Sequence, residues 1–163
     1  MLTSFSAGLQ TVSRYLYAVL ELLAKLIFVI MVVSVTIAVV GRFVFSKSPS
    51  WTEEVGILSL VWLCFLTAAM GIRTGSHMRM TIIEYIFSAR VCNVLHRIAY
   101  MVLVALYVLF IKIGYDAILM MSKSILPATK LPLSVMYSAV FVSGLLGLVM
   151  ALAKVFDKES FTS

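Results

Sequence analysis

Long apolar stretches alternate with short polar segments along this chain and divide it into four nearly equal parts. Stretches without any charged residue run from Leu26 to Gly41, Val55 to Ile72, Ile98 to Ile111 and Leu131 to Ala153. An α-helix rises about 1.5 Å per residue and needs roughly 20 residues to cross a hydrocarbon layer about 30 Å thick. With flanking residues included, the pattern predicts membrane-spanning helices over about 22–43, 53–72, 96–120 and 132–154.

The segment before the first span has a helical pattern of its own. Its apolar residues recur at steps of three and four, at Leu2, Phe5, Leu9, Val12, Leu16, Val19 and Leu23. This spacing predicts an amphipathic helix over about 3–20 that lies in the membrane interface or along a partner. A soluble, partly ordered arm is the alternative. The segment lacks the basic start and the small-residue cleavage site of a signal peptide.

A second amphipathic stretch, residues 83–98, precedes the third span. Its apolar positions share a helical face opposite Arg90 and Arg97. It is either another interfacial segment or the polar beginning of a long third helix.

Composition supports a chain embedded in lipid. Apolar residues make up 63% of the 163 residues and charged residues only 12%, roughly half the charged fraction of a soluble domain. We therefore predict an all-α integral membrane protein with a single membrane domain over 1–163, four transmembrane helices and an N-terminal amphipathic interfacial helix. The net charge of +6 is expected to face membrane lipids rather than nucleic acid, because no compact basic domain is present.

The basic residues predict the orientation in the bilayer. If both termini lie on one side, that side holds eight Lys and Arg residues and the other side holds five. The excess predicts cytoplasmic termini, because basic residues near spans concentrate on the cytoplasmic side. The connection between the first two spans then faces outward.

Candidate chemistry is sparse. Cys64 and Cys92 lack the spacing of a metal or redox site and are predicted to be buried, inert thiols. His77 and His96 lie near a membrane face rather than within the bundle, which does not favour a haem site. No catalytic residues, substrate site, metal or cofactor are predicted, and the chain is not expected to be an enzyme.

Polar residues cluster where the second span begins. Pro49 ends the preceding segment, and Ser50 with Glu53 has the spacing of a capping box. Arg42, at the end of the first span, is expected to pair with one of the two acids, Glu53 or Glu54. Because one cap does not require two acids, the second is a candidate partner contact.

Two aromatic residues and a basic cluster mark the rest of the second span. Trp51 is predicted to anchor in the headgroup region, and Trp62 lies within the span. After the span, Arg73, His77 and Arg79 form a cluster suited to lipid headgroups.

The third and fourth spans hold the remaining candidates. Lys112 and Asp116 are spaced to neutralise each other on one helix face, and we expect them near the outer interface or against a partner protein. Ser143, Gly147 and Ala151 repeat every four residues, a spacing that allows close helix approach, either within the chain or to another subunit.

The first hairpin and the second span resemble a known family. The matching segments are Arg42-Phe43-Val44-Phe45, Pro49 to Glu54, Trp62 to Ala69, Arg73 and His77. Together they are similar to the small membrane subunit, DctQ, of tripartite ATP-independent periplasmic (TRAP) transporters. The small residues Thr67-Ala68-Ala69 stand where such proteins often have a glycine.

This resemblance implies a non-catalytic subunit of a secondary transporter in the bacterial inner membrane. Its expected partners are a large DctM-like membrane subunit, which carries the substrate and sodium sites, and a periplasmic DctP-like binding protein. Organic acids such as C4-dicarboxylates or sialic acids are the implied cargo. The alternatives are a membrane anchor for a redox or signalling complex and a small autonomous exporter. The chain shows no duplicated halves and, apart from Lys112 and Asp116, which are expected off centre, no ionisable group at mid-span. Both observations argue against the exporter.

Overall fold

The computed structural model describes residues 2–74 and 89–155 of the protein, which form helices joined by connections, with one isolated β-bridge between Ile125 and Pro132. The four helices are α1 (Leu2–Phe45), α2 (Ser50–Thr74), α3 (Ala89–Met121) and α4 (Ser134–Val155). Each contains a segment long and apolar enough to cross a membrane, namely Arg14–Phe45, Ser50–Ile72, Ile98–Met121 and Ser134–Leu152. The predicted all-α class with four spanning helices is confirmed.

The first helix runs without interruption for 44 residues. At about 1.5 Å per residue it is about 66 Å long, roughly twice the thickness of the hydrocarbon layer. It ends where Ser46 adopts a left-handed conformation (φ 55°) and the Lys47 amide donates back to the Gly41 carbonyl at 3.1 Å. The predicted N-terminal segment is therefore continuous with the first span, and its position in the interface stays a prediction.

The third helix also begins earlier than its hydrophobic stretch. Its backbone is helical from Ala89 onward, so residues 89–98 form the beginning of the long third helix rather than a separate segment. The rest of the second amphipathic stretch, residues 83–88, lies outside the described residues.

The helices do not follow chain order in space. The fourth helix packs extensively along both α3 and α2, and α2 packs in turn along α1. The buried core lies along these contacts and includes Leu66, Ile72, Tyr107 and Met150. Neighbours therefore run in the order α1, α2, α4, α3, and α1 and α3 occupy the two flanks.

Small residues bring α3 and α4 into close contact. A Cβ atom added to Gly114 would lie 2.7 Å from the Phe141 amide nitrogen, and one added to Gly147 would overlap the Tyr107 ring. Ser143 and Ala151 are buried within the chain, at 1% and 0% exposure. Of the two roles predicted for the repeat of Ser143, Gly147 and Ala151, the structure supports packing within the chain.

Two side chains form hydrogen bonds to backbone carbonyls that connect α2 with α4 and with α3. The Trp62 indole donates to the Val135 carbonyl at 3.1 Å, and the Tyr107 hydroxyl donates to the Ala68 carbonyl at 3.3 Å. Hydrogen-bonding groups need such partners inside a bilayer because no water is available there to bond to them. Trp62 is thus a packing residue between α2 and α4.

Candidate functional site

One end of the molecule carries most of its described polar contacts. The connection 46–49 joins α1 to α2 there, and the connection 122–133 joins α3 to α4. We call this group of residues the polar corner: Arg42, Trp51, Glu53, Glu54, Ala128 and Thr129. It unites both connections with the first turn of α2.

The predicted ion pair of Arg42 is confirmed. Its Nη2 lies 2.9 Å from Oε1 of Glu53, and the two side chains are 67% and 57% exposed. Trp51 precedes this pair at the first turn of α2 and is 43% exposed. An exposed charged pair beside an exposed indole is typical of the boundary between lipid and water.

The predicted capping box is wrong. The second helix already begins at Ser50, and in its described first turn no hydrogen bond joins Ser50 to Glu53. The Thr52 amide and hydroxyl instead donate to the Pro49 carbonyl, at 3.1 Å and 2.6 Å. The physical reason is that the Glu53 carboxylate pairs with Arg42 and does not turn back toward the helix start.

Glu54 is bound by the α3–α4 connection. Its Oε1 accepts from the Ala128 amide at 2.9 Å, while Oε2 accepts from the amide and the hydroxyl of Thr129, both at 2.8 Å. A carboxylate that accepts three hydrogen bonds is firmly held, because charge-assisted bonds are the stronger ones. The acid expected to face a partner is therefore bound within its own chain.

The α3–α4 connection is itself built to present these donors. The Leu126 amide donates to the Leu131 carbonyl at 2.8 Å, and the Lys130 amide donates to the Leu126 carbonyl at 3.0 Å. Lys130 has a φ of 56°, which closes this single turn. The turn leaves the amides of Ala128 and Thr129 without backbone partners, so they point to a carboxylate as the first amides of a helix do.

Two charged residues of α3, Lys112 and Asp116, lie on the side of the helix that faces away from α4. Lys112 and Asp116 are both exposed, and neither ion pair found among the described side chains involves them. The predicted mutual neutralisation is therefore absent. Lys112 lies nine residues before the last residue of α3, about 14 Å along the helix, which is nearer to mid-span than to the outer interface.

Apolar residues surround these two charges. Leu109, Ile113 and Leu119 are 48%, 51% and 58% exposed and lie on the same side of α3, opposite the side that contacts α4. We call this surface, with Lys112 and Asp116, the α3 outer face. It is an apolar helix surface that carries two charges at membrane depth.

The remaining candidates contribute little to a site. Arg73 lies at the end of α2, but its side chain and all of His77 and Arg79 are outside the described residues, so the basic cluster stays a prediction. Cys64 is exposed, so its predicted burial is wrong; it lies on the side of α2 that faces α1. Within residues 2–74 and 89–155, no His, Cys, Asp and Glu side chains are grouped to hold a metal.

These features define a class: a multi-pass membrane protein that carries, among its described residues, an ion pair and a hydrogen-bonded carboxylate at one end and two charges on the α3 outer face. Residues 31–159 match the family described as "Tripartite ATP-independent periplasmic transporters, DctQ component". Because this match covers more than half of the chain, the protein belongs to the DctQ family. A comparison with curated protein sequences finds no match.

Family membership confirms the resemblance seen in the sequence. The protein is a small membrane component of a TRAP transporter. The segments that carried the resemblance include Arg42, Trp51, Glu53 and Glu54 of the polar corner, where the structure shows one ion pair and three hydrogen bonds to Glu54.

Proposed function

We propose that this chain is the non-catalytic scaffold of an organic-acid TRAP transporter in the bacterial inner membrane. In this proposal it packs laterally on the large DctM-like subunit, which carries the substrate and the coupling sodium ions. The DctQ family match supports the assignment to such a transporter. Organic acids such as C4-dicarboxylates or sialic acids are the proposed cargo, delivered by a DctP-like periplasmic protein.

The observation that carries the scaffold role is the α3 outer face. A Lys or Asp side chain exposed to hydrocarbon costs a few kcal/mol at the centre of a helix. Lys112 and Asp116 have no ion-pair partner among the described residues. A protein surface with complementary polar groups would remove that cost, so we assign the α3 outer face to contact with the large subunit.

The polar corner has a separate role in this proposal. The Glu54 bonds fix the corner to the α3–α4 connection, so Arg42, Trp51 and Glu53 are held at a defined position on the outer side. The corner is thereby available to the binding protein when it delivers substrate. Both termini are proposed to be cytoplasmic.

Co-purification tests the α3 contact. The chain is co-expressed with the large subunit, and Lys112→Glu and Asp116→Lys variants are compared with the wild type. We expect each reversal to reduce recovery of the complex at least several-fold while the chain alone still elutes as a single species. The matched control is Lys123→Glu, a charge reversal in the exposed connection after α3, which should leave recovery unchanged.

Two outcomes would contradict the proposal. Full recovery of the complex with both charge-reversal variants would remove the α3 outer face from the subunit contact. Uptake of an organic acid by proteoliposomes that contain this chain alone would overturn the scaffold role itself.

A further inference from the structure

A groove between α1 and α2 is left unexplained by the proposed function. Its walls are apolar and include Val35, Val39 and Phe43 of α1 and Ile57 and Leu60 of α2. The groove has a volume of about 560 Å³. At the end nearest the polar corner it is closed by Arg42 and Glu53.

The length of the groove matches one leaflet of a bilayer. On α1 it extends from Arg42 to Met31, a distance of eleven residues. At about 1.5 Å per residue this is about 16 Å, which is half of a hydrocarbon layer about 30 Å thick. The groove is therefore about as long as a single acyl chain of one leaflet.

The polar side chain on the floor of the groove already has its hydrogen-bond partner. Thr52 lines it and is 1% exposed, and its hydroxyl is satisfied by the Pro49 carbonyl at 2.6 Å. Gly56 contributes no side chain, and it lies next to Val35 of α1. An apolar chain that enters therefore displaces no hydrogen bond of the protein.

The charged end of the groove complements a zwitterion. Arg42 and Glu53 share one contact of 2.9 Å while remaining 67% and 57% exposed, so further guanidinium donors and the second carboxylate oxygen face outward. A guanidinium binds phosphate in a forked, two-bond arrangement, and a carboxylate accepts from a primary ammonium. Phosphoethanolamine carries these two charges at neighbouring positions.

We propose that the α1–α2 groove binds one phospholipid with a phosphoethanolamine headgroup. The phosphate lies on Arg42, the ammonium lies on Glu53, and one acyl chain follows the groove toward Met31. An anionic headgroup without an amine is disfavoured because it meets the Glu53 carboxylate. A phosphocholine headgroup binds less well because its quaternary nitrogen cannot donate hydrogen bonds.

Native mass spectrometry of the purified full-length chain tests this site. The chain is mixed with phosphatidylethanolamine, phosphatidylcholine or phosphatidylglycerol of identical acyl chains. We expect one phosphatidylethanolamine to be retained, with at least about tenfold preference over the other two lipids. Free phosphoethanolamine should not displace it, because the acyl chain supplies much of the binding.

Variants distinguish lipid bound at this site from lipid bound non-specifically to the protein. Arg42→Gln should lose the bound lipid, and Glu53→Gln should keep it but bind phosphatidylglycerol more strongly than the wild type. The matched control is Lys25→Gln, which removes the other exposed ion pair of α1, Lys25–Glu21 at 2.7 Å, and should change nothing. Thermal unfolding of each variant checks that the fold is retained.

Equal retention of the three lipids, or undiminished retention by Arg42→Gln, would overturn the proposal. The same measurement on the complex with the large subunit tests the other possible occupant of the groove, a helix of that subunit. Loss of the lipid from an assembled complex would show that a helix of the partner fills the groove instead. Since the lipid test on the isolated chain does not involve the α3 outer face, its outcome is independent of the proposed subunit contact.

Discussion

Gly147 determines how closely two helices approach in this protein. The buried ring of Tyr107 lies directly over it and contacts Phe110 edge to face, at a centroid distance of 5.9 Å. The ring cannot move aside easily, because its hydroxyl is also bonded to the Ala68 carbonyl. Even one added methyl group must therefore displace a helix rather than a side-chain tip.

Gly147→Ala should destabilise the folded chain. Overpacking of a tight interface costs about 1–3 kcal/mol, and the loss should appear as a lower melting temperature in detergent. Gly56→Ala is the matched control, because its Cβ would lie 3.6 Å from the Val35 methyl group, an ordinary contact. Equal melting temperatures for the two variants would mean that α3 and α4 are not packed as described.

Adjacent acids can differ completely in their contacts. Glu53 faces α1 and Arg42, whereas Glu54 faces the α3–α4 connection. The sequence was sufficient to predict the Arg42 pair, because an antiparallel hairpin brings the end of one helix beside the start of the next. It was not sufficient for Glu54, whose partners are backbone amides 74 and 75 residues away.

A signal for the Glu54 contact is nevertheless present in the sequence. Pro127 followed by Ala128 and Thr129 can start a helical turn with free amides, and this segment lies on the same side of the membrane as Glu54. What the sequence does not provide is the packing order, because the pairing of α2 with α4 decides which connection lies above Glu54.

Connections rather than helices decide how rigid the end of the molecule with the polar corner is. The connection between α3 and α4 is twelve residues long, from 122 to 133, yet it contains an internal turn and the Glu54 bonds. Connections in compact proteins are usually shorter. Here the Glu54 carboxylate holds the segment in place, a role that neighbouring secondary structure usually has.

Glu54→Gln should loosen this connection. The amide side chain keeps one acceptor oxygen and places its NH₂ donor against the backbone N–H of either Ala128 or Thr129, so one backbone N–H loses its hydrogen bond. We expect hydrogen exchange across residues 126–131 to become at least a few-fold faster. Glu53→Gln should leave that exchange unchanged, and similar acceleration in both variants would show that the Glu54 contacts are not specific.

The presence of the helices could be predicted from the sequence, but their full lengths could not. Hydrophobic runs predicted four helices long and apolar enough to span a membrane, because burial in lipid requires an unbroken apolar stretch. The polar residues before the first and third spans continue the same helices. Polarity marks where hydrocarbon ends, while backbone hydrogen bonding continues beyond that boundary.

At the scale of the whole molecule, the two described connections at the polar corner should lie outside the cell membrane. In a background without Cys64 and Cys92, Ser124→Cys should react with an impermeant maleimide added to intact spheroplasts. Arg14→Cys should react only after the membrane is permeabilised, because the termini are predicted to be cytoplasmic. The reverse labelling pattern would overturn the predicted orientation.

The fourth helix joins α3 to the α1–α2 pair, although it is the last of the four described helices to be synthesised. Until α4 leaves the ribosome, Tyr107 and Gly114 of α3 lack the neighbour that covers them in the finished fold. Translation that stops before Ser134 would leave in the bilayer three helices, of which α3 has no close-packed neighbour. Completion of α4 is therefore the step at which α3 gains its close-packed neighbour and the four described helices can assemble.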